Sequence, residues 1–292
     1  MVEYSIDEII TVLLAREVTN KDVMIVGVAT PIVWSAFTLA KITHAPDAIF
    51  HYLMGNTFVW EARQVSLLWL ELAAASRCHR LHNTGECTLE LLPHDTLTTL
   101  EFFRPAQIDQ YGNTNNTVIG DWNKPKVRLP GAAGIPDFSG FYTAGQHLYV
   151  TRHDNRTFIP TEQLFFRSGV GFVDGSRPLI DYGLIGAGPK CVITDLAYLD
   201  FDEKQRRMRI KTVHPGVTVD QVQKNTGFEL LKAPDLKETI PPTENEIRLL
   251  REKVDPLGIR KLEVLTGKER TELLEEVIRK EYSRINRIPP RL

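Results

Sequence analysis

The first 58 residues change hydrophobic period in a way that leaves few folds open. From Ser5 to Ala15 the apolar residues Ile6, Ile9, Ile10, Leu13 and Leu14 recur at helical spacing. Ser5 with Glu8 three residues on forms a capping-box signature. "DVMIVGVATP" (22–31) is then a short apolar run closed by small residues and Pro31, which reads as a buried strand entering a loop. Residues 32–42 read as a second helix, and "IFHYLMGNTF" (49–58) as a strand ending in a Gly-Asn turn. The order helix, strand, helix, strand predicts an α/β fold with a mostly parallel sheet. A chain of 292 residues suits one large α/β domain or two smaller ones.

Further strands are expected at 100–104, 147–152, 190–194 and 208–213. "TDLAYLDFDEKQRRMRIKTV" (194–213) predicts a two-stranded hairpin turning at Asp-Glu-Lys-Gln, with Met208, Ile210 and Thr212 alternating on the return. Residues 105–140 are rich in Gly, Asn and Pro and too long for an idle connection, so they are expected to carry function. After Pro241-Pro242 the composition shifts: 22 of the last 50 residues are charged, 12 basic and 10 acidic. That balance describes a solvated surface, not a patch of one sign. Thr266, Glu269, Leu273, Leu274, Val277, Ile278, Tyr282 and Ile285 outline a capped amphipathic helix. Such a helix must bury its stripe on the body of the protein or on a partner. The expected division is an α/β domain over 1–262 and a C-terminal helix and tail over 263–292.

The formal charge of −2 offers no footprint for nucleic acid. No apolar run reaches the roughly 18 residues a spanning helix needs. The first residues, Met-Val-Glu-Tyr, lack a basic and apolar leader pattern, so a cytoplasmic location is expected. Cys78, Cys87 and Cys191 are few and odd in number, which argues against a disulfide framework.

The stretch 106–138 holds the densest chemistry. Gln107, Asn113, Asn115 and Asn116 supply amides that donate and accept. "PGAAG" (130–134) presents successive backbone N–H groups without bulky side chains, the material of an oxyanion hole or, equally, of an ordinary Gly-Pro loop. "GVATP" (27–31) could cradle a phosphate at a helix N-terminus but matches no glycine fingerprint. Cys78, His79, His82 and Cys87 fit no zinc spacing, and no metal site is expected. His44, His51 and His214 are isolated, and a lone histidine is more often packed or solvated than catalytic. No Gly-x-Ser-x-Gly elbow is present.

Several long blocks resemble one family. They are "AQIDQYGNTNNTVIGDWNKPKVRLPGAAG", Ala45-Pro46-Asp47, "GAGPKCVITDLAYLDFD", "HPGVTVDQVQKNTGFEL" and "DPLGIRKLE". Together they are similar to the β subunit of family I CoA-transferases of the glutaconate type, over about residues 5–263. The resemblance implies a CoA-transferase-like α/β sheet with helices on both faces, plus the C-terminal helix as an addition. It implies an α-type partner, in a heterodimer or heterotetramer. It implies a loop, here Gly131, Ala132, Ala133 and Gly134, that binds the thioester oxyanion. In the family a Glu in a Glu-x-Gly turn attacks the thioester. Counting from Ala45-Pro46-Asp47 puts that Glu at Leu53, followed by Met54 and Gly55. A leucine cannot form an anhydride, and covalent transfer needs one. Glu61, eight residues on, is the nearest carboxylate downstream. The family's small residues before Ala-Gln-Ile-Asp are replaced by Phe103, Arg104 and Pro105.

The branch lacking the Glu is similar to the actinobacterial CoA hydrolase that opens steroid rings. The resemblance therefore implies hydrolytic C–C opening of a cyclic keto-acyl-CoA, with the acid/base carboxylate on the α partner. The alternatives are CoA transfer by a relocated nucleophile and a non-catalytic scaffold. The expected substrate pocket comprises His51, Tyr52, Leu53, Met54, Gln107, Asn113 and Asn115. The catalytic residue of this chain is unknown from the sequence, the family's Glu position being Leu53; no bound cofactor is expected, and CoA enters only as part of the substrate.

Overall fold

The computed structural model describes residues 2–27, 30–52, 57–68, 80–81, 98–142 and 145–283. They fall into two compact units, one of residues 1–91 with 242–292, the other of 92–241.

In the first unit, helix α1 (Ile6–Arg16) leads to strand β1 (Asp22–Val26), helix α2 (Pro31–Thr43) and strand β2 (Ile49–Tyr52). The alternation expected from the sequence is the one observed. Glu8 reaches back to accept the Ser5 N–H at 2.9 Å, closing the first turn of α1. Pro31 opens α2, where its missing N–H costs nothing. β1 and β2 pair in parallel, Ile25 opposite His51. β3 (Thr57–Val59) returns antiparallel to β2, and β4 (Arg80–Leu81) antiparallel to β3. The Cys78–Cys87 stretch lies almost wholly outside the described residues.

The expected C-terminal helix spans Gly267–Ser283. It seats on its own unit. Val277 is buried, and the buried Glu281 carboxylate accepts the N–H groups of Leu67 and Leu68, the latter at 2.9 Å. A buried ion cluster ties the ends of this unit together. The Arg260 guanidinium meets Asp7 at 2.8 Å, Glu8 at 2.9 Å and Asp255 at 2.9 Å, and Arg251 adds a bond to Glu8 at 2.7 Å.

The second unit is a sheet built on parallel pairing. β10 (Gln146–Val150) lies between β5 (Thr98–Phe103) and β11 (Pro189–Thr194), parallel to both. β12 (Ala197–Phe201) and β13 (Met208–Val213) form the predicted antiparallel hairpin. Asp202 Oδ1 holds its turn by accepting the N–H groups of Lys204 and Gln205. β14 (Leu231–Glu238) then pairs in parallel with β13. The stretch 105–140 is not a bare loop. It folds into two small antiparallel pairs, β6 (Gln107–Ile108) with β7 (Thr114–Asn115), and β8 (Val118–Gly120) with β9 (Pro125–Arg128).

Candidate functional site

The Gln-Ile-Asp-Gln-Tyr-Gly-Asn motif folds around a buried carboxylate. Asp109 Oδ1 accepts the N–H groups of Tyr111 and Asn113, both at 2.9 Å. Its Oδ2 accepts Asn113 Nδ2 at 2.8 Å and Thr161 Oγ1 at 2.8 Å. Gly112 has φ +76°, and a Cβ there would lie 2.6 Å from Pro189 Cγ, so only glycine fits the turn. Asn113 Oδ1 accepts the Gly171 N–H, and its Nδ2 also reaches the Val173 carbonyl. Val173 has φ +60°, a costly conformation for a β-branched residue, and the Asn113 bond helps hold it. Asn113 is fully enclosed and its amide is spent on this scaffold.

Asn116 does different work. Its Oδ1 accepts the Ala106 N–H at 2.6 Å, and its carbonyl accepts the Gly131 N–H at 2.9 Å. It thereby staples the Pro-Gly-Ala-Ala-Gly segment to residues 104–106. Between them opens a cleft of about 400 Å³, lined by Arg104, Pro105, Ala106, Asn116, Gly131, Arg152, Asp154 and Arg156 among others. Gly131 has φ +109° and Ala133 φ +46°, so the segment is bent into a left-handed shape. The N–H groups of Ala132, Ala133 and Gly134 donate to no described group. Such a ridge can receive a developing oxyanion.

Charge in the cleft is unequal. Three guanidiniums face one carboxylate. That carboxylate, Asp154, accepts Arg156 Nη2 at 2.7 Å and the N–H groups of Arg156 and Thr157. Burial pushes its pKa up, but these donors outweigh it and hold the group below the usual carboxylate range. It is committed to the turn and to Arg156, and is a poor nucleophile or proton carrier. The sequence carries a signal for this wall, "TRHDNR", in which two arginines flank an acid, but it belongs to no motif and so does not stand out by spacing.

His153 sits between those cleft residues in sequence, yet its ring points inward. It stacks on Phe158 at 3.9 Å and lies 3.1 Å from Thr194 Oγ1 and 2.9 Å from Thr226 Oγ1. Burial pushes its pKa down to about 3, so it stays neutral. His214 is likewise enclosed, between Thr239 Oγ1 at 2.9 Å and the Thr194 carbonyl at 2.8 Å. His214 of the His-Pro-Gly-Val-Thr block and Thr226 of the Asn-Thr-Gly-Phe block are thus buried in this unit.

In the first unit His51 is fully buried, its ring 4.4 Å from that of Phe58. Tyr52 stacks on Phe50 and meets Trp34 edge-on at 5.5 Å. Leu53 and Met54 lie outside the described residues, as do two residues of "GVATP". At the start of α2, the place considered for a phosphate, the Ile32 N–H donates to Glu263 Oε1 at 2.8 Å. The chain's own carboxylate takes that place.

Residues 8–225 match the family model described as Coenzyme A transferase. The B subunit of 3-oxoadipate CoA-transferase from Pseudomonas knackmussii is 36% identical over 254 residues, covering 86% of this chain and 94% of that one. The cholesterol ring-cleaving hydrolase IpdB subunit of Rhodococcus jostii is 33% identical over 160 residues, 54% of this chain and 60% of that one. Among solved structures, glutaconate coenzyme A-transferase from Acidaminococcus fermentans superposes with a TM-score of 0.77 at 27% identity, covering 91% of this chain and 99% of that one. The chain belongs to the Coenzyme A transferase family. Its fold is the family's α/β fold, as the sequence resemblance led one to expect. No described helix is long and apolar enough to cross a membrane.

Proposed function

We propose that this chain is the β-type subunit of a heteromeric enzyme acting on acyl-CoA thioesters with an α-type partner. We further propose that its reaction is hydrolytic opening of a cyclic keto-acyl-CoA. One observation carries the reading: the family's nucleophile position holds Leu53, and the carboxylate lining the described cleft, Asp154, is engaged by Arg156. In this reading water attacks the ring ketone. The Ala132–Gly134 ridge receives the oxyanion, and a carboxylate of the partner moves the proton. C–C cleavage then releases the ring as an open-chain acyl-CoA. The similarity to the IpdB subunit supports this chemistry. The arginines of the cleft favour an acyl group that carries an anionic substituent beside its ring.

A second reading, CoA transfer with a nucleophile elsewhere, has its own support. The 3-oxoadipate CoA-transferase relative is more similar, and over more of the chain. Co-purification with the partner, followed by incubation with a cyclic keto-acyl-CoA, separates the two. Ring-opened acyl-CoA formed without any acceptor acid supports hydrolysis. CoA exchange between two acids, with hydroxylamine displacing CoA from an enzyme carboxyl group and leaving a hydroxamate there, refutes it.

A further inference from the structure

Two side-chain oxygens of the 92–241 unit, Glu101 Oε2 in β5 and Gln146 Oε1 in β10, are buried without a hydrogen-bond partner among the described residues. Glu101 is 8% exposed and Gln146 is fully enclosed. Strand pairing makes the two residues neighbours. β5 and β10 run parallel, with Phe102 opposite His147 and Phe103 opposite Leu148. One step back along both strands, Glu101 stands beside Gln146 on the same face of the sheet, the strands being roughly 4.8 Å apart. Phe102 and His147 share the other face, their rings 5.5 Å apart.

A carboxylate oxygen and an amide oxygen are both acceptors, so they cannot satisfy each other as they stand. Turning the amide over offers no cure, because Gln146 Nε2 is spent on the carbonyls of Ser139 and Val170. One proton on Glu101 satisfies both atoms at once: its O–H then donates to Gln146 Oε1. Nothing that titrates faces the pair within this unit. Thr99, Phe103 and Leu148 share its face, and Ser139 and Val170 are held against it by Gln146. His147 and Tyr149 alternate to the opposite face. Burial is the one cause that raises the Glu101 pKa.

Gln146 passes this support on to the Gly131–Gly134 ridge. Ser139 Oγ accepts the Val170 N–H at 3.0 Å, and Gly171, the next residue, donates to Asn113 Oδ1. Toward the ridge, the Phe138 N–H donates to the Gly134 carbonyl at 3.0 Å and the Ile135 N–H to the Ala132 carbonyl at 2.9 Å. A Cβ on Gly134 would lie 2.9 Å from Phe138 Cε2, so that ring packs against the last residue of the ridge. One end of the ridge is therefore held by Asn116, and the other by Gln146 through the turn that ends at Ser139. Resting on the acyl-CoA reading above, in which the ridge receives the oxyanion, we propose that Glu101 and Gln146 form a neutral acid–amide pair that fixes the ridge in place. They are positioning residues, and they act on the reaction through Ser139.

Hydrogen exchange and kinetics on the chain in its complex with the α-type partner test this. Glu101→Gln keeps a donor for Gln146 Oε1, and Glu101→Leu removes it. Exchange at the N–H groups of Ile135, Phe138 and Val170 quickens about tenfold in Glu101→Leu and keeps its wild-type rate in Glu101→Gln, while the β12–β13 hairpin is unchanged in both. With an acyl-CoA as substrate, kcat falls about tenfold in Glu101→Leu at constant KM, and Glu101→Gln retains it. Wild-type kcat declines as pH rises through about 8, where Glu101 gives up its proton, and Glu101→Gln lacks that limb. Unchanged exchange in Glu101→Leu, or a quickening that spreads equally to the hairpin, overturns the pair. Exchange that responds while kcat does not overturns the positioning role. Exchange that responds in a complex that consumes no acyl-CoA supports the pair and sinks the catalytic reading instead.

Discussion

Glu8 and Glu101 are both buried carboxylates, one in each unit, and their fates are opposite. Burial pushes Glu8 up, but hydrogen bonds from Arg251 and the Ser5 N–H, with the charge of Arg260, outweigh it and bring the group down to about 2. Glu101, in β5, has no hydrogen-bond partner for its Oε2, and burial alone pushes it up to about 8. Glu8 is therefore charged at neutral pH and Glu101 is held as the neutral acid. A carboxylate can be taken out of water at tolerable cost only if something replaces the water. In the first unit arginines do. In the second nothing described does, and protonation is the remaining way to avoid a bare buried charge.

The largest effect is expected at the paired end of this contrast. Arg260→Met strands Asp7, Glu8 and Asp255 together and should cost about 3–5 kcal/mol, read as a fall in the denaturation midpoint. A small loss would mean that the cluster is better solvated than its burial implies.

The next effect concerns the unpaired acid and has a definite sign. Glu101 has a folded pKa above its unfolded value of 4.5, so the native state binds the extra proton between about 4.5 and 8. Its stabilisation is present below 4.5 and is lost as pH rises, with a slope of about 1.4 kcal/mol per pH unit. Glu101→Gln should remove that slope and stabilise the chain near pH 8. Glu8 acts the other way: its contribution is present above 4.5 and fades as pH falls toward 2. Urea titrations of the two variants across pH separate these limbs. A Glu101→Gln curve parallel to wild type would show that some group compensates the charge.

The smallest effect on stability is expected in the cleft. Asp154 and Arg156 form an exposed pair, and Asp154→Asn should shift unfolding by less than about 1 kcal/mol. Its consequence should appear in binding, since the change leaves Arg152 and Arg156 without the counter-charge of Asp154.

The same physics decides what could be read without coordinates. Period-driven elements were legible: α1, β1, α2 and β2, the β12–β13 hairpin and the C-terminal helix all follow their apolar spacing. β14 was not, because "LKAPDLKE" carries a proline and four charges, and its burial is sparse. It pairs through its backbone, which leaves little periodic trace. The β8–β9 hairpin was hidden for a related reason, since its strands are short and β9 is largely exposed. In the site, the Gly131–Gly134 ridge was legible because glycine and alanine advertise an accessible main chain. The amides of Asn113 and Asn115 were legible as important, but their type could not reveal that they bind the chain itself. The arginine wall comes from Arg104 at one end of a strand and Arg152 and Arg156 beyond another, and only the β5–β10 pairing joins the strands that lead to them. Glu101 and Gln146 are brought together in the same way, by folding and not by spacing.

The proposed chemistry stands or falls on whether this chain provides a covalent nucleophile. Mass spectrometry of the purified complex, quenched during turnover of an acyl-CoA in H2(18)O, tests that most directly. The prediction is one labelled oxygen in the product and no acyl or CoA adduct on any peptide of this chain. An adduct on one of its own carboxylates, Glu61 or Glu101 for example, would contradict it.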